Sequence, residues 1–570
     1  VWEIAYPNNL DNRGITAPYE GREYSGTTIK NVFAASARAP FYMTSKKVGI
    51  YTPTQATGTY TFPTSGSSSM KFNQSTLSYD VYAGGTYKQV LQHYRDVAGP
   101  SYMPPDWAFG TIWWRDDWNR LPKYADGTRA GSANNAQELV EEDAARLQQY
   151  QIPASGVWLD RPYGSGNPGY DPNVGGWGNM DFDSAAFGDP DAMVRDLAAR
   201  GMKLMVWTAN KANNNLKDEG AANGYLFPTS GLAQPNSPAI DLRNPQAYAW
   251  LKGKLDNLLM AATLEDGSSG VFGYKIDRGG EGEMPYDQIN TQTTLMHRLA
   301  AEGLAARHGS DYFVFTRNIN DTGRQYAAVW SGDPQINWTG LASSVRNGIR
   351  SGLAYFPVWG SDTGGYSGGN PPTEELFTRW MAFSAYSPMM EILQDQYRNI
   401  WFNYSPDLLS ATQKYTREHH DLIPYVRSMA WEAAHTGTPI MRAMMLEFDD
   451  PAAADLGDQY MYGPSLLVAP VTASGAASRG VYLPAGRWLD YNDKQTVYDS
   501  AGQTIGAAAP LDVIPVFVRE GAIVPRGDIL KANNNWTAGW APKLRVEVFA
   551  SPAVDGTFSY YRGAGTAPIH

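Results

Sequence analysis

No cysteine occurs among the 570 residues. Disulfides, thiolate metal sites, iron–sulfur clusters and a cysteine nucleophile are therefore excluded. Histidine is scarce, with only His93, His297, His308, His419, His420, His435 and His570. None pair at HExxH spacing, and His419 and His420 leave a helix on different sides, so no metal site is expected. Charged residues make up 18%, with 46 basic against 57 acidic and a net charge of −11. No lysine or arginine run stands out, so the basic face of a nucleic-acid binder is missing. No apolar stretch approaches the ~18–20 residues of a membrane span. GxSxG, a Walker loop and a GxGxxG after a strand are also absent. Gly360-Ser361-Asp362-Thr363-Gly364-Gly365 is glycine-rich, but no lysine or helix start follows it, as a phosphate loop needs. Polar sequence and no signal peptide follow Val1. The expectation is a mature secreted or periplasmic chain, with the cytoplasm as the alternative.

Aromatic residues are plentiful, at 13% with 18 Trp and 35 Tyr, and 57 Gly with 37 Pro mark a loop-rich protein. Two readings fit: large aromatic cores, or rings that stack on the apolar faces of sugars. Residues 1–102 read as β structure, with alternating segments such as Lys47-Val48-Gly49-Ile50-Tyr51-Thr52, followed by a short helix at Tyr87–Val97. From 103 to 436 short apolar runs alternate with helical patterns. The runs are Trp107–Trp114, Gly156–Asp160, Lys203–Thr208, Phe272–Asp277, Phe313–Arg317, Ala327–Asp333, Phe356–Asp362 and Pro388–Ile392. Eight strands alternating with helices predict a (β/α)8 TIM barrel. One long helical stretch is expected at Ser410–Thr436. Residues 437–525 return to short β runs and read as a C-terminal β-sandwich, and 526–570 as the start of a further β domain. The fold class is thus multidomain, a central barrel flanked by β-sandwich domains.

Barrels of this kind place chemistry at the C-terminal ends of their strands. Those ends here carry Asp116, Asp160, Trp207, Asp277, Arg317, Asp333, Asp362 and Glu391. Carboxylates are the only available catalysts, and glycoside hydrolysis needs two of them flanking the anomeric carbon. Asp277 and Asp333 lie two strand positions apart. Lys275 and Arg278 flank Asp277 and favour its ionised form, which suits a nucleophile. Trp330, Pro334 and Trp338 surround Asp333 in sequence, and an apolar setting raises a carboxyl pKa, which suits a proton donor. The competing reading makes both aspartates helix caps or salt-bridge partners. Trp113, Trp114, Trp118, Trp177 and Trp401 are expected to pack, whereas Tyr163 and Tyr366 sit in strand-end loops suited to sugar contacts. Asn-X-Ser/Thr triplets at Asn73, Asn320, Asn337, Asn403 and Asn535 occur at about chance frequency and carry no expectation of glycosylation.

From about residue 78 to 525 the chain resembles glycoside hydrolase family 31, which holds α-glucosidases, α-xylosidases and α-galactosidases. The likeness rests on Pro104-Pro105-Asp106-Trp107-Ala108-Phe109-Gly110, Lys275-Ile276-Asp277, Thr316-Arg317, Gly323–Asp333, Trp359–Tyr366 and Arg379-Trp380. It implies a retaining exo-α-glycosidase with Asp277 as nucleophile, Asp333 as acid/base and no cofactor. It further implies a sugar pocket formed by Asp160, Trp207, Arg317, Trp330 and Asp362, and the substrate would be an oligosaccharide or glycoside. Lys275, Glu391 and Tyr366 join the candidate binding residues. The Lys-Ile-Asp triplet is closest to the form seen in α-xylosidases. Two departures stand out. Arg278-Gly279-Gly280-Glu281-Gly282-Glu283-Met284-Pro285 replaces the usual Met-Asn-Glu-Pro, and the block Ser387–Ile392 has Glu391 but lacks the family's arginine and histidine. Galactose is therefore the expected glycone, with glucose, xylose or N-acetylgalactosamine as alternatives. A carbohydrate-binding protein on a degenerate scaffold is the non-enzymatic alternative. Oligomeric state is not legible.

Overall fold

The computed structural model describes residues 10, 15–19, 36–115, 121–163, 180–280, 282–368, 371–530, 532–533, 540–563 and 568–569. Asp116, Trp118, Trp177, Glu281 and Asn535 lie outside the described residues.

The centre is a parallel sheet. Its strands are β1 (Thr111–Arg115), β2 (Gly156–Leu159), β3 (Lys203–Ala209), β4 (Val271–Asp277), β5 (Phe313–Thr316), β6 (Ala328–Trp330), β7 (Trp359–Gly360 with Asp362–Thr363) and β8 (Met390–Gln394). Each follows its neighbour in order. The two halves of β7 close the ring. Trp359–Gly360 pairs with β6, and Asp362–Thr363 pairs with β8. Only Ser361 separates them, so one strand joins both edges of the sheet. Residues 356–358, expected to begin this strand, stay outside it, and Pro357 there has no N–H to donate to a ladder.

The strands are apolar because both faces are covered, by helices outside and by layered side chains inside. Helices Ala136–Gln149, Pro190–Ala199, Ile289–His308 and Trp338–Leu353 occupy the crossovers. Leu139, Val140, Ala144 and Leu147 form the buried face of the first. The stretch Ser410–Thr436 is two helices, Pro406–Asp421 and Ile423–Thr436, hinged at Leu422. Pro424 opens the second helix, where its missing N–H costs nothing.

Two three-stranded antiparallel sheets precede the barrel. One packs Tyr19, Tyr60, Phe62 and Phe72 into its own small core. The N-terminal region is tied to the barrel rim by strand Ser36–Arg38, which runs parallel to Asn318–Asn320 just past β5. Arg38 Nη1 donates to Asn318 Oδ1 at 2.6 Å, and the hydroxyls of Tyr19 and Tyr51 each donate to Asp321 at 3.0 Å. Asn318 in turn donates through Nδ2 to the carbonyl of Gly279 at 2.5 Å, directly behind the end of β4.

After the barrel, a six-stranded sheet and a two-stranded ribbon enclose a second core that includes Met461, Leu467, Val481, Trp488 and Phe517. Within 526–570, strand Arg545–Val548 pairs with Ile523–Arg526. Arg427 on helix Ile423–Thr436 donates to the Tyr561 carbonyl and the Tyr560 hydroxyl, which holds this segment against the barrel. No described helix is long and apolar enough to cross a membrane.

Candidate active site

Strand alternation places Lys275 and Asp277 on the same side of β4. Beyond Asp277 the chain turns sharply, with Arg278 at φ 68°. A side chain in this left-handed region is uncommon and marks a constrained turn. The turn lets the Arg278 N–H donate to Asp277 Oδ1 at 2.7 Å. Trp207, near the end of the neighbouring β3, donates its indole N–H to Asp277 Oδ2 at 2.9 Å. Arg317 just past β5 places Nε 2.8 Å from Asp277 Oδ1.

The same guanidinium reaches the second acid, with Nη1 3.0 Å from Asp333 Oδ1. Gly332, at φ 74°, supplies the turn that brings Asp333 round. The two carboxyls therefore face each other across one arginine side chain that is itself buried, 4% exposed. The salt-bridge reading of these aspartates is thus correct as far as it goes, but the partner is shared. One guanidinium held between two acids is more than a purely structural ion pair requires. The apolar setting expected for Asp333 from its sequence neighbours is not what surrounds it. Arg317, brought in from a different strand, is its partner.

Burial by itself pushes the Asp277 carboxyl up. Arg317, Lys275 and Arg278, in that order, together with the Trp207 N–H, outweigh burial and hold it far below the usual carboxylate range. Lys275 is only 3% exposed. Its ammonium lies 4.2 Å from the ring centre of Trp158, 4.5 Å from Trp330 and 4.7 Å from Trp114. Three strands contribute those rings, which form a cation–π cage. Trp114 stacks on Trp158 at 4.4 Å and on Tyr366 at 5.3 Å.

Asp160, just past β2, is buried, with Arg161 3.3 Å from its carboxylate and at φ 50°. Tyr163 donates to the Trp207 carbonyl. Asp362 on β7 and Glu391 on β8 are both fully buried. Asp277, Asp333, Arg317, Trp207, Lys275 and Trp330 thus meet directly. Asp362 and Glu391 join them through the fields of Lys275 and, for Asp362, Asp333. Two participants escaped the sequence reading. Trp158 was readable in principle, because it is the register partner of Trp114. Arg398, which donates to the Gly365 carbonyl and acts on Asp362, lies in a loop without a distinguishing local pattern. Trp113 and Trp401 pack on each other, as expected of them. Among the described residues no group of three or more His, Asp or Glu is placed to hold a metal ion.

Arg317 invites a direct test. Replacing it with methionine is expected to lower kcat/KM by about 10²–10³-fold, the scale of losing a preorganised charge contact. The acid limb of the pH profile should also move to higher pH, since the largest stabiliser of ionised Asp277 is gone. Lysine should rescue poorly, because one ammonium cannot span both carboxyls as a guanidinium does. An acid limb that stays in place would show that Arg317 does not control Asp277.

A closed parallel barrel with two opposed acids at its C-terminal mouth is the arrangement of glycoside-cleaving enzymes. The chain belongs to glycosyl hydrolase family 31. The family's TIM-barrel domain matches residues 101–429 and its C-terminal domain matches residues 437–524. An α-xylosidase of Saccharolobus solfataricus is 26% identical over 559 residues, covering 95% of this chain and 72% of the relative. An isomaltosyltransferase of Sporosarcina globispora is 27% identical, covering 91% of this chain and 50% of its own length. Among solved structures, a family 31 dextranase of Flavobacterium johnsoniae complexed with glucose superposes with a TM-score of 0.83 at 24% identity, covering 99% of this chain and 70% of that one. The chain thus spans only part of each. None of these three carries the galactose preference expected from the sequence.

Proposed function

We propose that the protein is a retaining α-glycosidase acting on terminal α-linked sugars of oligosaccharides or glycosides. The single observation that carries this reading is Arg317 held between Asp277 and Asp333. Asp277 is ionised and oriented by two N–H donors, as a nucleophile must be. Attack by its carboxylate on the anomeric carbon forms a glycosyl-enzyme while Asp333 gives its proton to the leaving oxygen. Asp333 then takes a proton from water, which attacks the same carbon and releases the sugar with its configuration kept. Ester formation neutralises Asp277 and leaves Arg317 with Asp333 as its charged partner.

For the glycone, xylose or glucose is the first reading. It is supported by Lys275 two residues before the nucleophile and by the names of the relatives. Galactose is kept as a second reading on one observation, the buried Glu391 in the block that lacks the family's arginine and histidine. A panel of p-nitrophenyl α-xyloside, α-glucoside, α-galactoside and α-N-acetylgalactosaminide tests both. One of the four is expected to be cleaved at least tenfold better than the others (about 1.4 kcal/mol in transition-state binding). Proton NMR of the first-formed sugar should show the α anomer. A first-formed β anomer would refute the double displacement, and silence on all four would favour a sugar-binding protein.

A further inference from the structure

Asp362 and Glu391 are register partners on adjacent parallel strands. Such strands lie about 4.8 Å apart, and paired residues point to the same side. Both side chains are fully enclosed, each 0% exposed. Glu391 Oε2 accepts from the Trp158 indole N–H at 3.3 Å. Both oxygens of Asp362 and Oε1 of Glu391 are buried with no hydrogen-bond partner among the described residues. Buried carboxyl oxygens are rarely left this way, and unfilled acceptors beside a catalytic pair point to a group that brings donors.

Among the described residues the charges facing the pair are few. Lys275 approaches from β4, Asp333 from beyond β6 and Arg398 from beyond β8. Arg398 is partly committed to the Gly365 carbonyl and to Asp395 at 4.0 Å. On the flanking strand β1, Arg115 is occupied by Asp143 at 2.6 and 2.8 Å, and past β2 Asp160 is paired with Arg161. Lys275 is therefore the main cation, and its charge also serves Asp277. Two neighbouring carboxylates buried with so little compensation do not both ionise.

We propose that Asp362 and Glu391 share one proton at neutral pH and that this half-protonated pair reads the glycone. A pair holding one proton presents an O–H donor beside carboxylate acceptors. It can accept from one sugar hydroxyl and donate to the oxygen of the next, which neither two carboxylates nor two amides can do in the same way. Glu391 is the specificity-determining member, and its role rests on the glycosidase reading above. Burial, the largest cause for both acids, acts in the same direction. It pushes Glu391 up to about 7 and Asp362 well above its ordinary range.

Infrared difference spectroscopy of the whole protein tests the proton without relying on activity. The wild type should show a buried protonated-carboxyl carbonyl band at pH 6 that disappears by about pH 8.5. Glu391→Gln and Asp362→Asn should each lose the band at lower pH than the wild type, because the remaining acid keeps its burial but no longer faces a like charge and has Lys275 to itself. A wild type without the band, or single variants whose band titrates as the wild type's does, would overturn the proposal. Kinetics test the reading of the sugar. With whichever p-nitrophenyl glycoside is cleaved, the good leaving group mutes any limb due to Asp333. Wild-type kcat/KM should fall about tenfold per pH unit above about 7, through KM. Glu391→Gln, neutral at every pH, should lose that fall, and an unchanged fall overturns the role. If the band titrates as expected but no glycoside is cleaved, the glycosidase reading fails while the shared proton stands.

Discussion

Asp277→Ala is expected to lower kcat by at least about 10⁴-fold while leaving the fold intact. Every contact to this side chain serves its charge: the Trp207 and Arg278 N–H groups and the Arg317 guanidinium. Alanine removes the only atom placed to form the glycosyl bond and leaves Arg317 still paired with Asp333. The melting temperature should therefore be unchanged or slightly raised, because functional charge clusters are commonly held at a cost in stability. The vacated space suits a small anion. Azide added to the variant should attack an α-glycoside directly from the nucleophile's side and yield a β-glycosyl azide. Near-wild-type turnover in the purified variant would falsify the assignment of Asp277.

Asp333→Ala should behave differently, and the contrast is the second test. A proton donor matters most when the leaving group is poor. Cleavage of an unactivated α-linked disaccharide should drop by about 10²–10⁴-fold. A p-nitrophenyl glycoside should still form the glycosyl-enzyme at a substantial rate. Its hydrolysis should then stall, because no base activates water, and one equivalent of p-nitrophenolate should appear as a burst. Azide needs no base, so it should relieve the stall and give an α-glycosyl azide, opposite in configuration to the product of the Asp277 variant. The same azide product from both variants would mean that the two roles are misassigned.

Much of the barrel was legible because its strands are buried on both faces. That burial selects short apolar runs bounded by polar loops, and each of the eight runs overlaps its strand. The first starts too early, because Trp107–Phe109 belong to a 3-10 helix, Asp106–Phe109, and β1 begins at Thr111. β7 also departs, since its strand residues split around Ser361 to join both edges of the sheet. Nothing in the local pattern of Phe356–Asp362 distinguishes such a strand from an ordinary one. The helical stretch after the barrel was legible as helical, but its division at Leu422 was not.

At the site, the residue types and strand-end positions of Asp277, Asp333, Arg317 and Trp207 were legible, but their partnerships were not. The sequence neighbours of Asp333 pointed to an apolar surround, whereas its partner is Arg317, contributed by the strand next to it in the barrel. Lys275 was legible as a cation near Asp277. Its cage of Trp114, Trp158 and Trp330 was not, because those rings come from three other strands.

The sequence by itself determined the kind of chemistry. Without cysteine, and with histidines too few and wrongly spaced for a metal site, only carboxylates remained, and strand periodicity put them at one rim. Tertiary structure alone decided which carboxylate is held ionised, which pair is crowded into one dry space, and which arginine serves two acids. Periodicity is a property of adjacent residues and survives in one dimension. Electrostatic coupling depends on distance and dielectric, and both are set only when separate strands close into a ring.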